Sequence, residues 1–147
     1  MTGARDRPDV QVFTEVAIID QLVTARLERS LPDGMSAAQF GVLTHFCRRG
    51  GVETPAQLAR AFQVTKGAMT NTLQRLEAQG FVGVTPDKTD GRRKLVSLTP
   101  EGAAAYERAI AALRPYYANL REAFTDAEFE SAIPFLKALR IWLDENR

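Results

Sequence analysis

The feature that most constrains this chain is a run of start and stop signals across residues 54–99. Thr54 precedes Pro55, a capping residue followed by proline at the first helical position. The helix they open is short and ends near Phe62. Gln63 and Val64 make a turn, and Thr65 caps a second helix that runs to about Gln79 and is closed by Gly80. Residues 81–85 and 94–98 then read as two short strands. The polar loop between them, residues 86–93, carries Asp90-Gly91 hairpin chemistry. Thr99-Pro100 repeats the cap-plus-proline start. Two short helices on so tight a turn form a helix-turn-helix, and the rest of the chain must pack around it.

The flanks are helical. Val12, Val16, Ile19, Val23 and Leu27 recur at gaps of four, three, four and four, so a helix from about Asp9 to Ser30 has one apolar face. Phe13, Ile18 and Leu22 widen it, which suits contact with more than one element. Leu31-Pro32-Asp33-Gly34 ends that helix. Ser36 and Gln39 form a capping box for the next, whose apolar face is Phe40, Leu43 and Phe46. Arg48-Arg49 suit its C-terminal end, and Gly50-Gly51 stop it. After Pro100, Tyr106, Ile110, Leu113, Tyr117, Leu120 and Phe124 alternate at gaps of four and three, with Pro115 predicted to kink the helix. Thr125 and Glu128 box the last helix, which carries Phe129, Ile133, Leu136, Leu139 and Leu143 beside Trp142. The expected organisation is a disordered segment at 1–8, a helical dimerisation region at 9–30 and 100–147, and the helix-turn-helix with its hairpin at 36–99.

Charge follows the same division. The net charge of +1 hides a central segment, residues 46–98, with nine basic and four acidic side chains between mildly acidic ends. A basic middle suits a phosphate-facing module. No apolar run approaches the ~20 residues that span a bilayer. The opening MTGARDRPDV lacks the apolar core of a signal peptide. The one cysteine, Cys47, has no partner within the chain, so a cytoplasmic location is the default expectation. His45 and Cys47 are two apart and point in different directions on a helix. With no metal spacing, nucleophile set or phosphate loop in view, neither an enzyme nor a cofactor is expected.

Helical geometry sorts the second helix of the pair. At about 100° per residue, Met69, Leu73 and Leu76 share a core-facing arc. The opposite arc holds Gly67, Asn71, Gln74 and Ala78, flanked by Thr70 and Arg75. Asn and Gln amides pair bidentately with adenine in the major groove, and Thr and Arg reach bases or phosphates. Lys66 sits at the helix start, where backbone N–H groups also attract phosphate. Any surface helix has a polar outer face, so the hairpin beside it matters. Its loop carries Lys88, Arg92, Arg93 and Lys94, and an arginine at such a tip can enter the minor groove. Asp90 is expected to orient Arg92 or to cap the turn.

Asp90-Gly91-Arg92, five residues, then Leu98-Thr99 resembles the wing signature of the MarR family of prokaryotic transcriptional regulators. Gly102 fits the glycine that often follows. Thr54-Pro55-Ala56-Gln57-Leu58-Ala59 and the run from Leu73 to Val82 look like the family's helix-turn-helix. Two positions depart from it. Asn71 and Thr85 stand where the family commonly has arginine, which implies a different operator sequence or a weaker grip. The resemblance implies a mainly α fold with a small β-wing: a winged helix-turn-helix domain flanked by N- and C-terminal dimerisation helices. It also implies a homodimer that places two recognition helices in successive major grooves of a pseudo-palindromic duplex, usually as a repressor. Family members often release DNA on binding a small aromatic or phenolic compound, and Phe13, His45 and Phe46 are the residues here that could border such a ligand. Some relatives carry a redox-active cysteine near the start of the first helix. Cys47 lies elsewhere and is expected to be buried and inert. A winged helix serving protein–protein contact, with weakened DNA binding, is the alternative.

Overall fold

The computed structural model describes residues 7–147. Its first helix, α1, is Pro8–Ser30, with Arg7 at the N-cap and Pro8 at the first helical position. Pro8 therefore belongs to a helix and not to the disordered segment expected at 1–8, whose first six residues lie outside the described ones. Leu31 ends α1 in an extended conformation, and Asp33 and Gly34 follow with φ of 62° and 64°. The next helix, α2, spans Ala37–Arg49. Its Ser36–Gln39 capping box is formed in both directions, and Gly50 ends it at φ 65°.

A two-residue strand, β1 (Val52–Glu53), leads to Thr54. Thr54 and Gln57 close a second capping box at the start of α3, Pro55–Phe62. The second helix of the pair, α4, is Lys66–Ala78. Strands β2 (Val82–Pro86) and β3 (Lys94–Leu98) follow. The sheet has three strands in the order β1-β3-β2, both pairs antiparallel. The sequence reading of two strands misses β1, which is too short to show alternation. It pairs Val52 with Ser97 and Glu53 with Val96 on the free edge of β3. The hairpin also starts one residue later than expected. Pro86 pairs with Lys94 as part of β2, and Phe81 is a buried core side chain.

The chain divides into two compact units, one ending at Ala112 and the other Leu113–Arg147. The core of the first is built from Val42, Leu43 and Phe46 of α2, Leu58 of α3, Met69, Leu73 and Leu76 of α4, and Val82 and Val96 of the sheet, all buried. Each such side chain contributes roughly 1.5–3 kcal/mol on burial. Helix α5, Pro100–Ala123, begins in this unit. Its fully buried residues there are Gly102, Ala105 and Ala109; Tyr106 and Ile110 of the predicted stripe are half-buried beside them, and Leu113, the next stripe residue, is fully buried. Small residues let the helix come close: a Cβ on Gly102 would sit 2.0 Å from the Phe81 carbonyl oxygen. Tyr106 stacks on Phe40 of α2, ring centroids 6.0 Å apart.

The second unit holds the end of α5 and α6, Asp126–Glu145. The Thr125–Glu128 capping box is formed, and Phe124 and Phe129 meet edge to face across it. Both helices run as single segments through their prolines, Pro115 and Pro134. No residue of α1 or α6 is buried. Among the described residues no helix is long and apolar enough to cross a membrane.

Candidate nucleic-acid interface

Local backbone geometry sets α4 against α3. Gln63 takes a left-handed conformation at φ 57°, which ends α3. The Val64 amide then bonds back to the Ala59 carbonyl at 3.0 Å. Thr65 Oγ1 accepts from the Ala68 amide at 3.1 Å and starts α4. Met69, Leu73 and Leu76 are buried, as their shared arc requires. Lys66, Gly67, Thr70, Asn71, Gln74, Arg75 and Ala78 are exposed. None of the side chains of Lys66, Thr70, Asn71, Gln74 and Arg75 has a hydrogen bond or ion pair among the described residues. A Cβ on Gly67 would meet nothing within 4 Å. The fold itself does not need that glycine, which leaves the helix start open to close approach from outside.

The hairpin tip is ordered by two carboxylates. Asp87 Oδ1 accepts from the Thr89 amide at 2.9 Å and from the Thr89 hydroxyl at 2.7 Å. These two bonds, helped by the Arg93 charge, hold the Asp87 carboxyl below its usual range. Asp90 Oδ1 accepts from the Arg92 amide at 3.1 Å, so Asp90 caps the turn through the backbone. Arg93 is turned toward the loop, its Nε 3.9 Å from Asp87 Oδ2. Lys88, Arg92 and Lys94 are exposed, and their side chains have no partner among the described residues. Sequence reasoning missed Asp87 and Thr89, although Asp-x-Thr is the Asx-turn pattern that could have found them.

Two sets of predicted residues are thus left exposed. One is the outward row of α4, and the other is the cationic tip of the β2–β3 hairpin that follows it directly. Of the ligand candidates, His45 and Phe46 are ring neighbours at 5.9 Å. His45 Nε2 lies 2.7 Å from Glu53 Oε2, Phe46 is a core side chain, and Phe13 lies exposed on α1. Cys47 is exposed, contrary to expectation, because Phe46 takes the core-facing position next to it on α2. Partial desolvation, reinforced by the Glu107 carboxylate, raises its thiol pKa. Among the described residues no group of three His, Cys, Asp or Glu could hold a metal ion.

Residues 33–93 match the model of the MarR family. The multiple antibiotic resistance protein MarR of Salmonella typhimurium is 40% identical over 77 residues, 52% of this chain and 53% of that protein. The match therefore spans about half of that relative's length. The transcriptional regulator HosA of Escherichia coli is 32% identical over 114 residues, 78% of this chain and 80% of HosA. Among solved structures, a mutant MarR from E. coli complexed with operator DNA superimposes with a TM-score of 0.75 at 30% identity. That superposition covers 88% of this chain and 93% of that one.

Proposed function

The chain belongs to the MarR family, and on that premise we propose that it is a sequence-specific, homodimeric transcriptional regulator that binds duplex DNA and represses. One observation carries the reading. A row of exposed, unpartnered Thr70, Asn71, Gln74 and Arg75 lies on α4, and the unpartnered cations Lys88, Arg92 and Lys94 lie on the adjoining hairpin. In the proposed complex Thr70, Asn71 and Gln74 of that row face base edges in the major groove. Lys66 and Arg75 meet phosphates, and Arg92 enters the minor groove. Asp90 and Asp87 hold the loop that presents Arg92. Arg93, drawn toward Asp87, contributes charge to the wing.

The dimer rests on a second observation. Phe13, Ile19 and Leu22 on α1, and Ile133, Phe135 and Trp142 on α6, are between 47% and 65% exposed. Two helices with so much apolar surface in water are each covered by a second copy in the proposed assembly. The test of function is a gel-shift assay at fixed salt on duplexes selected by the protein from a random-sequence library. Enrichment of a pseudo-palindrome supports the reading. Equal retention of all sequences contradicts it.

A further inference from the structure

The C-terminal end of α4 is joined to the first half of α5 at two separated points. The first is Thr99. Its hydroxyl donates to the Gly80 carbonyl at 2.6 Å and accepts from the Gly102 amide at 3.0 Å, and its amide donates to the Phe81 carbonyl at 3.2 Å. Gly102 gives the room for this close approach.

The second point runs through Asp33, in the loop between α1 and α2. Arg108 Nε and Nη2 of α5 both donate to Asp33 Oδ2, at 3.3 and 3.1 Å. The Asp33 carbonyl accepts from Gln79 Nε2, at the C-cap of α4, at 3.1 Å. Gln79 Oε1 in turn accepts from Gln39 Nε2 at 3.4 Å. Gln39 is buried and closes the α2 capping box. Asp33 holds a left-handed backbone at φ 62°, a conformation uncommon outside glycine but one that aspartate tolerates better than most residues. In that conformation its carboxylate faces α5 while its carbonyl faces α4.

Two attachments do what one cannot. A helix tied at one point can pivot about it. A second tie fixes its angle, and Gly102 and Arg108 lie roughly 9 Å apart along α5 at 1.5 Å per residue. We infer that Asp33, bridging Gln79 and Arg108, is a positioning residue that sets the angle at which α4 presents Asn71 and Gln74. The consequence for sequence preference rests on the DNA-binding reading; the tie itself does not. An exposed ion pair adds little to global stability, so losing this one alters presentation more than folding.

The test uses the full-length protein as wild type, Arg108→Ala, Gln79→Ala, the double variant, and Arg108→Lys. Amide hydrogen exchange across residues 75–81 is measured without DNA. Affinity is measured for a duplex that the wild type selects from a random library and for a scrambled duplex at the same salt. Each alanine variant is expected to speed exchange in that segment several-fold, with an unchanged melting midpoint in Arg108→Ala and a lowered one in Gln79→Ala, which also leaves the buried Gln39 amide without its partner. Each is also expected to lower the ratio of selected to scrambled affinity about tenfold, a local coupling of ordinary size. The double variant should be no worse than Gln79→Ala alone, because Gln79→Ala already cuts the Asp33 bridge that Arg108→Ala cuts from its other end. Arg108→Lys should recover part of the loss. Unchanged exchange at 75–81 in Arg108→Ala, or fully additive losses in the double variant, overturns the inference. A wild type that selects no duplex defeats the DNA reading instead, and the exchange arm still decides the tie.

Discussion

Asn71 and Gln74 stand exposed on α4 with no hydrogen-bond partner among the described residues, so their amides are free to read a base edge. Replacing either with alanine should cost ~1–3 kcal/mol of discrimination against the wrong base, roughly 5- to 150-fold, with little change on scrambled DNA. Competition assays check this, and equal losses on every sequence would make both residues phosphate contacts. Arg92→Ala should weaken binding to the selected duplex at moderate salt and leave the oligomeric state intact, as shift assays and sedimentation would show. Two carboxylate bonds give the wing a defined pH behaviour. The Asp87 pKa is lowered on folding, so its contribution is fully present above its usual value of 3.8 and is lost as pH falls through the lower folded value. The Thr89 amide should therefore stay protected throughout the neutral and mildly acidic range. Loss of that protection already near pH 5 would contradict the assignment. At Cys47 the shift runs upward, so the thiol is protonated at neutral pH. Its alkylation should be slow there and rise only above about pH 9.

At the scale of elements, the places where sequence was legible share one cause. Capping boxes, an N1 proline and glycine stops are local chemistry, and Ser36, Thr54, Thr65 and Thr125 each cap the helix their neighbours announce. The core arc of α4 and the Asp90 turn are equally local. What sequence hid depends on distant partners. Strand β1 exists only because β3 offers an edge. At the start of α5 the buried residues are Gly102, Ala105 and Ala109, with Phe81 standing against Gly102, and side-chain hydrophobicity carries no trace of that approach; Leu113 of the apolar stripe, further along, is buried as its pattern requires. The Asp33 tie joins residues 46 and 75 positions apart in sequence. Gly102 gives the sharpest check at this scale. Alanine there would drive its Cβ into the Phe81 carbonyl, backbone that cannot step aside. Gly102→Ala should cost about 3 kcal/mol, at the upper end for overpacking. That corresponds to a drop of roughly 6–12 °C in the melting midpoint. A midpoint within a degree of wild type would mean that α5 does not approach so closely.

For the whole molecule, the proposed function gives the exposed apolar residues of α1 and α6 and the cationic wing two partners, a second copy and a duplex. Charging the proposed dimer surface, as in Leu22→Arg with Trp142→Arg, should yield monomers by sedimentation with the recognition helix still folded by circular dichroism. Such monomers should lose most operator affinity, because each would hold one half-site only. Electrostatics supplies the most direct measurement of the central claim. Affinity for the selected duplex, titrated across salt, should fall steeply on a log–log plot, and Lys66→Ala should reduce that slope by about two phosphate contacts, one from each protomer. A flat salt dependence, with no duplex preferred over scrambled DNA, would contradict the assignment of this chain as a DNA-binding regulator.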